Sequence, residues 1–269
     1  MLVIYHHISV SLKIIHNYKE ILENLFLLFK YRKKLIVSFC FIILSSISHA
    51  GDKNLYNTIE PLDGKTLAKT QLIVFESETC SSCKAFKKDV MINWKSSFKI
   101  KETYSMQAPL GWKLKESIWA TPTIVMFDNG EEISRYTGYD GKKQEFWRWF
   151  GLQTLSPEQK KIAFENGTEL PFSGSLLDNK APGYYVDPIT GEQLFRSDKK
   201  FISGTGWPSF FDPIPGSLVF KEDSTQGITR VEVLSASSGI HLGHVFNDGP
   251  PPSGKRYCIN SAVLKFVAD

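Results

Sequence analysis

Gln71-Leu72-Ile73-Val74-Phe75-Glu76, closely followed by Thr79-Cys80-Ser81-Ser82-Cys83-Lys84, is the stretch on which the reading of the first half turns. The first part is a short apolar run rich in β-formers, the expected form of a buried strand. Ala85, Phe86 and Val90 then recur at roughly helical spacing, so the two cysteines fall at a strand-to-helix junction. A sulfur at a helix N-terminus meets unpaired amides and the positive end of the dipole, which favour a nucleophilic thiolate. The second sulfur, one turn further in, is close enough to close a disulfide with the first. Working outward, Ala120-Thr121-Pro122-Thr123 precedes the apolar strand Ile124-Val125-Met126-Phe127. Asp128-Asn129-Gly130 is a hairpin turn signal, Glu132 to Tyr136 make the return strand, and Gly141 to Phe150 read as a closing helix. A structural bridge would not need helix-start placement. Half of a zinc site would want a second Cys-x-x-Cys, which the sequence lacks.

This order, from about residue 55 to 151, resembles the thioredoxin fold. The resemblance implies that Cys80 and Cys83 are a redox pair. It also implies that Pro122 is the cis-proline that faces the disulfide and helps to hold a partner chain.

The 269 residues suffice for one large domain or two ordinary ones. With 42% hydrophobic and 22% charged residues, the chain is no disordered polymer, collagen-like repeat or coiled coil. A net charge of +4, partly gathered at the N-terminus, gives no reason to expect nucleic acid as a partner. That basic cluster is Lys30, Arg32, Lys33 and Lys34. Leu35 to Leu44 are mainly apolar, and Ser48-His49-Ala50 follows. Basic flank, apolar core and small-x-small end are the parts of a secretory signal peptide, with a core at 30–50. The run is short for a membrane span, which needs ~20 apolar residues. A periplasmic or secreted protein is therefore expected, the alternative being an uncleaved inner-membrane anchor. Cys40 lies in this run as a small hydrophobe. Residues 51–151 and 152–269 are then expected to be two successive domains.

Downstream of Phe150, Ser156-Pro157-Glu158-Gln159 reads as a helix start, and the helix ends near Asn166-Gly167. The rest has the short runs, glycines and prolines of β structure. Lys255-Arg256-Tyr257-Cys258-Ile259-Asn260-Ser261-Ala262-Val263-Leu264 reads as a strand with Arg256, Cys258 and Asn260 on one face. A guanidinium and an amide beside the thiol would favour its thiolate, although a single cysteine is as readily an inert core residue. His241 and His244 are spaced for one helical face but would diverge in a strand. No carboxylate stands obviously beside them, so a zinc reading is weak and acid–base work is open. Gly204-Thr205-Gly206-Trp207-Pro208-Ser209-Phe210-Phe211 places rings on a glycine-flexed loop, either as core or as a wall for a small methyl group.

Gly167–Phe172, Lys200–Phe210, His241–Phe246 and Arg256–Ala262 together resemble the B-type methionine sulfoxide reductases over about residues 152–269. The resemblance implies two packed antiparallel sheets and reduction of the R epimer of methionine sulfoxide. By that pattern Cys258 is the nucleophile, and His241, His244 and Asn260 bind and polarise the sulfoxide. Trp207 and Phe210 line the substrate site, and Arg256 supports the thiolate. Asp187, Thr190, Ser235 and Ser238 stand where many members bind zinc through cysteines, so a zinc-free form is expected and no cofactor is implied. Thr205 stands where many members keep a recycling cysteine. Cys80 is the candidate replacement: it would take the Cys258 sulfenic acid into a mixed disulfide, which Cys83 resolves. The exchange would run within one chain or, where the short 151–156 connection forbids it, between two.

The expected partners are exported proteins or peptides carrying methionine sulfoxide, with a membrane thiol relay or thioredoxin as electron donor. The competing reading is an exported disulfide reductase or isomerase whose C-terminal half is a non-catalytic peptide-binding module.

Overall fold

The computed structural model describes residues 59–224 and 227–269. The expected leader and Cys40 lie outside the described residues. No helix among the described residues is long and apolar enough to cross a membrane.

The first half is an α/β unit. Its sheet holds β1 (Thr70–Phe75), β2 (Lys99–Thr103), β3 (Thr123–Asp128) and β4 (Glu131–Thr137) in the order β2-β1-β3-β4. Only the β1–β2 pair is parallel. Every residue of β1 from Gln71 to Phe75 is buried because both faces are covered. Leu72 and Val74 pack with Phe86 and Phe146, while Ile73 and Phe75 meet Val125, Phe127 and the Met106–Ile118 segment. The β3–β4 turn takes the left-handed conformation at both Asn129 and Gly130, as its sequence predicts. Helix α1 (Ser81–Phe86) continues as a wider π turn to Met91.

Helix α2 (Lys143–Thr154) runs further than Phe150, because Gly151 can pack where no side chain fits. A Cβ on Gly151 would lie 2.6 Å from Ile189 Cδ1 and 2.7 Å from Phe164 Cζ. The stretch expected to be a linker is therefore mostly helix. Buried Leu155 and the cap Ser156 alone separate α2 from α3 (Pro157–Glu165). The capping box of Ser156 and Gln159 forms as read, and Asn166 closes α3 in the left-handed conformation.

The second half is built of two antiparallel sheets. One follows the order β7-β8-β12-β11-β10-β9: β7 (Lys200–Phe201), β8 (Ser209–Phe210), β9 (Leu218–Asp223), β10 (Arg230–Ser235), β11 (His241–Phe246) and β12 (Arg256–Ile259). The other pairs β13 (Lys265–Ala268), β5 (Gly183–Val186) and β6 (Gln193–Arg196) in the order β13-β5-β6. The strand read over 255–264 stops at Ile259, where a tight 3-10 turn over Ser261–Val263 takes over.

One buried cluster runs through both halves: Val90, Trp147 and Phe150 from the first, Leu155 and Ile162 from the connection, and Tyr185, Ile189, Phe195, Leu242 and Ile259 from the second. Full burial of each such side chain stabilises by roughly 1.5–3 kcal/mol. The described residues accordingly form a single compact unit.

Where zinc ligands were expected to be missing, a hydrogen-bonded knot joins two turns. Asp187, fully buried, accepts from the Ile189 and Thr190 amides at 2.8 and 3.0 Å and from the Ser238 hydroxyl at 2.5 Å. Thr190 Oγ1 and Ser235 Oγ both meet Ser237 Oγ, at 2.8 and 3.0 Å. Asp187→Ala strands three donors in a dry place, so the full chain should lose about 3 kcal/mol in urea unfolding followed by tryptophan fluorescence. A loss below about 1 kcal/mol would mean that the knot is not what joins these turns.

Candidate active site

Alternation along β12 creates the site. Tyr257 and Ile259 point into the core, so Arg256 and Cys258 must project from the opposite face. In register with Cys258 lie Ser209 on β8 and His244 on β11, and Glu232 on β10 stands opposite His244. Residues directly opposite in an antiparallel sheet share a face, so these four form one row. Gly243 lets β11 approach: a Cβ there would collide with the Cys258 carbonyl oxygen.

The two histidines do not diverge. A bulge between β10 and β11 sets Leu234 opposite His241 immediately after Val233 opposite Gly243. That irregularity restores His241 to the face of His244, with ring centroids 5.4 Å apart. Each ring also has a carboxylate, contrary to the sequence reading. His241 Nδ1 lies 2.7 Å from Glu232 Oε1, and His244 Nε2 lies 2.7 Å from Asp223 Oδ2. Asp223 also accepts from Arg230 at 2.9 Å. Burial pushes the pKa of His241 down, against the pull of Glu232, which favours the neutral ring. Its Nε2 is buried and meets no hydrogen-bond partner among the described residues.

Cys258 is half-buried and is the free cysteine of the described residues. It opens on a cavity of about 130 Å³ lined by Thr168, Trp207, Arg230, Gly243, His244, Phe246 and Asn260. Burial raises its thiol pKa, while the Arg256 charge and hydrogen bonds from Thr205 and Arg256 pull it back only in part. Arg256 is itself clamped, donating from Nε and NH2 to Asp248 at 2.9 Å each and lying 4.5 Å from the Phe246 ring centroid. Burial thus outweighs Arg256, and the thiol pKa lies above its ordinary value.

Three further sequence readings need adjustment. Phe210 is no part of the cleft: it is fully buried, stacked 4.2 Å from Phe195 and edge-on to Tyr185. The pleat that turns Ser209 outward turns Phe210 into the core. Asn260 lines the cleft from beyond the strand end, and its amide is held by the backbone. Its Oδ1 accepts from the Glu169 amide at 3.0 Å, and its Nδ2 donates to the Leu242 carbonyl at 3.0 Å. His241 stands behind His244 rather than in the cavity wall. Trp207 does form a wall, its Nε1 donating to the Glu169 carbonyl at 3.2 Å.

Sequence reasoning missed Glu232, Asp223 and Arg230. Arg230 and Glu232 alternate with Val231 and Val233 along β10, a pattern that marks one polar face. Asp223 is recruited from β9 by pairing that no local pattern discloses.

In the first half, Cys80 caps α1 and is disulfide-bonded to Cys83, with Cα atoms 5.2 Å apart. The Cys83 amide donates to Cys80 Sγ at 3.0 Å. The Thr121–Pro122 bond is cis, and the Thr121 carbonyl oxygen lies 3.4 Å from Cys80 Sγ.

A SelR domain family model matches residues 155–268, and a thioredoxin-like domain model matches residues 64–154. The peptide methionine sulfoxide reductase MsrB of Methanosarcina barkeri is 51% identical over 129 residues, 48% of this chain and 88% of that protein. The chain belongs to the MsrB family. The MsrB of Leptospira interrogans is 50% identical over 126 residues, which cover 46% of this chain and 93% of that one. Among solved structures, the reduced periplasmic thioredoxin SoxS of Paracoccus pantotrophus is 24% identical, with a TM-score of 0.27. The match covers 30% of this chain and 90% of that one. Within this MsrB-family chain the cleft lies entirely in the SelR part, and the disulfide lies in the thioredoxin-like part.

Alkylation of Cys258 should have its pH midpoint above the ordinary cysteine value of about 8.5. Arg256→Met should move it higher still, because the cation that favours the thiolate is gone; iodoacetamide labelling against pH reads both. Phe210→Ala should lower stability by about 3–5 kcal/mol through a core cavity. Trp207→Ala should instead leave the unfolding midpoint nearly unchanged and raise KM.

Proposed function

We propose that this chain reduces methionine-R-sulfoxide in polypeptides, with Cys258 as nucleophile and the Cys80–Cys83 pair as its reductant. The observation that carries the reading is a half-buried thiol opening on a cavity of about 130 Å³, which also holds the Asp223-paired His244 and the Trp207 wall. In the proposed step, the Cys258 sulfur attacks the sulfoxide sulfur. The thiol proton passes to the sulfoxide oxygen, with His244 as the group placed to carry it. The protonated oxygen then passes from the methionine sulfur to the Cys258 sulfur, the transient bond between the two sulfurs breaks, methionine leaves, and Cys258 holds the oxygen as a sulfenic acid. The attacking sulfur must lose its proton as the sulfoxide oxygen gains one, so the two transfers are coupled. Arg256 and Thr205 would steady the negative charge that sulfur gains on the way. Trp207 and Phe246 would hold the S-methyl group, and Asn260, locked by backbone partners, would set the cavity floor. His241 would keep His244 in place from behind.

Recycling needs a second thiol, and Thr205 cannot supply one. The reduced Cys80–Cys83 pair would condense with the sulfenic acid, releasing water, and close as the disulfide. Pro122 beside Cys80 would help to seat the partner segment. The basic and apolar N-terminal residues support export, which would make oxidised exported proteins the substrates. An exported dithiol donor, such as a membrane thiol relay or a thioredoxin, would then reduce Cys80–Cys83.

Single-turnover assays on each sulfoxide epimer test the reading. Pre-reduced full-length protein should form methionine from the R epimer and leave the S epimer untouched. Cys258→Ser should form none, whereas Cys80→Ser should form about one equivalent and stall. Full activity of Cys258→Ser would sink the proposal.

A further inference from the structure

An apolar rim and a lone exposed tryptophan stand open on this chain. Phe172 and Ile202, 69% and 86% exposed, line a neighbouring cavity with Trp207, the residue it shares with the Cys258 cleft; Leu170, next to the Glu169 that accepts from Trp207, is 76% exposed. Near the Thr121–Pro122 bond that faces Cys80, Trp119 is 73% exposed. If Cys80 were seated on Cys258 within one chain, the rim and the tryptophan would cover each other, yet both are bare.

The contacts that join the halves lie elsewhere. Trp94 and Lys95 follow the far end of the helical run that Cys80 begins. Lys95 Nζ pairs with Glu192 at 2.8 Å, and the Lys95 carbonyl oxygen occupies the space a Cβ on Gly191 would need. Gly239 packs on Gln144, and Ile189 packs on Gly151. From Gly239 to His244 the chain climbs roughly 15 Å of strand before Cys258 is reached in register. The joint is no hinge: Leu155 is buried, Ser156 is held in its capping box, and Gln159 Nε2 donates to the Ala262 carbonyl at 2.8 Å.

We propose that Cys80 of one chain reduces Cys258 of a second copy, with its Trp119 face seated on the rim of Leu170, Phe172 and Ile202. The inference rests on the relay reading above. It selects a second copy because the only other cysteines of the described residues, Cys80 and Cys83, are bonded to each other in this same chain, and the exposed Trp119, two residues from Thr121, is covered by nothing among the described residues. A polypeptide substrate must enter by the same rim, so the contact has to be transient; a permanent cover within one chain would exclude it. In the exchange, the Cys80 thiolate attacks the Cys258 sulfenic sulfur, the S–S bond forms, and the S–O bond breaks. The hydroxide takes a proton and leaves as water. Cys83 then displaces Cys258 as a thiolate and closes the Cys80–Cys83 disulfide, so the dithiol loses the two electrons that the sulfenic acid gains.

Two full-length variants separate the roles. Pre-reduced Cys258→Ser, which carries only the dithiol, is mixed with pre-reduced Cys80→Ser/Cys83→Ser, which carries only the nucleophile. Excess R-sulfoxide is added without other reductant. The second variant alone should yield about one methionine per chain, and the mixture about two per Cys258-bearing chain. The second equivalent from unsubstituted protein should form about tenfold faster at tenfold higher protein concentration, as a bimolecular step requires. A mixture that stops at one, with a concentration-independent second equivalent from unsubstituted protein, would place the exchange within one chain and overturn the proposal. Unsubstituted protein stopping at one would remove the relay itself, and the inference with it.

Discussion

The pleat of β12 is the constraint from which the cleft follows. Tyr257 and Ile259 belong to the hydrophobic core, and burying them commits the intervening residues to the other face. Cys258 then stands in a row with Ser209, His244 and Glu232, each supplied by a different strand. A shift of register by one residue would bury the thiol and expose the core. The burial that stabilises the sheet also half-buries the sulfur and raises its pKa, against the pull of Arg256.

The same economy of burial governs how the halves are joined. The helical connection is short, and Phe150, Leu155, Ile162 and Ile189 lie in one cluster, so parting the halves would expose large apolar side chains to water. The contacts concentrate on the turns that carry Gly191 and Gly239, next to the Asp187 knot. A carboxylate with buried donors thus sits at the base of the interface.

Much of this was legible along the chain. The strand before Cys80, the Asn129-Gly130 turn and the Ser156 capping box are local devices, each set by neighbours within a few residues, and all three form as read. The inward alternation of Tyr257 and Ile259 is local too. Phe210 misled because an aromatic ring beside a glycine-rich loop reads equally as wall or as core. Only pairing β8 with β12 decides which way it turns.

What the sequence by itself determined was the set of chemical parts: a cysteine pair at a helix start, a solitary thiol on a strand, two imidazoles, and a threonine where a second thiol could have stood. Tertiary structure decided how they meet. The bulge at Leu234 returned His241 to the side of His244, and strands distant in sequence brought Asp223 and Glu232 to the two rings. Burial, which depends on every neighbouring element at once, raised the pKa of Cys258. Short-range preferences are written in adjacent residues, whereas proximity between strands and the exclusion of water arise only when the whole chain has packed.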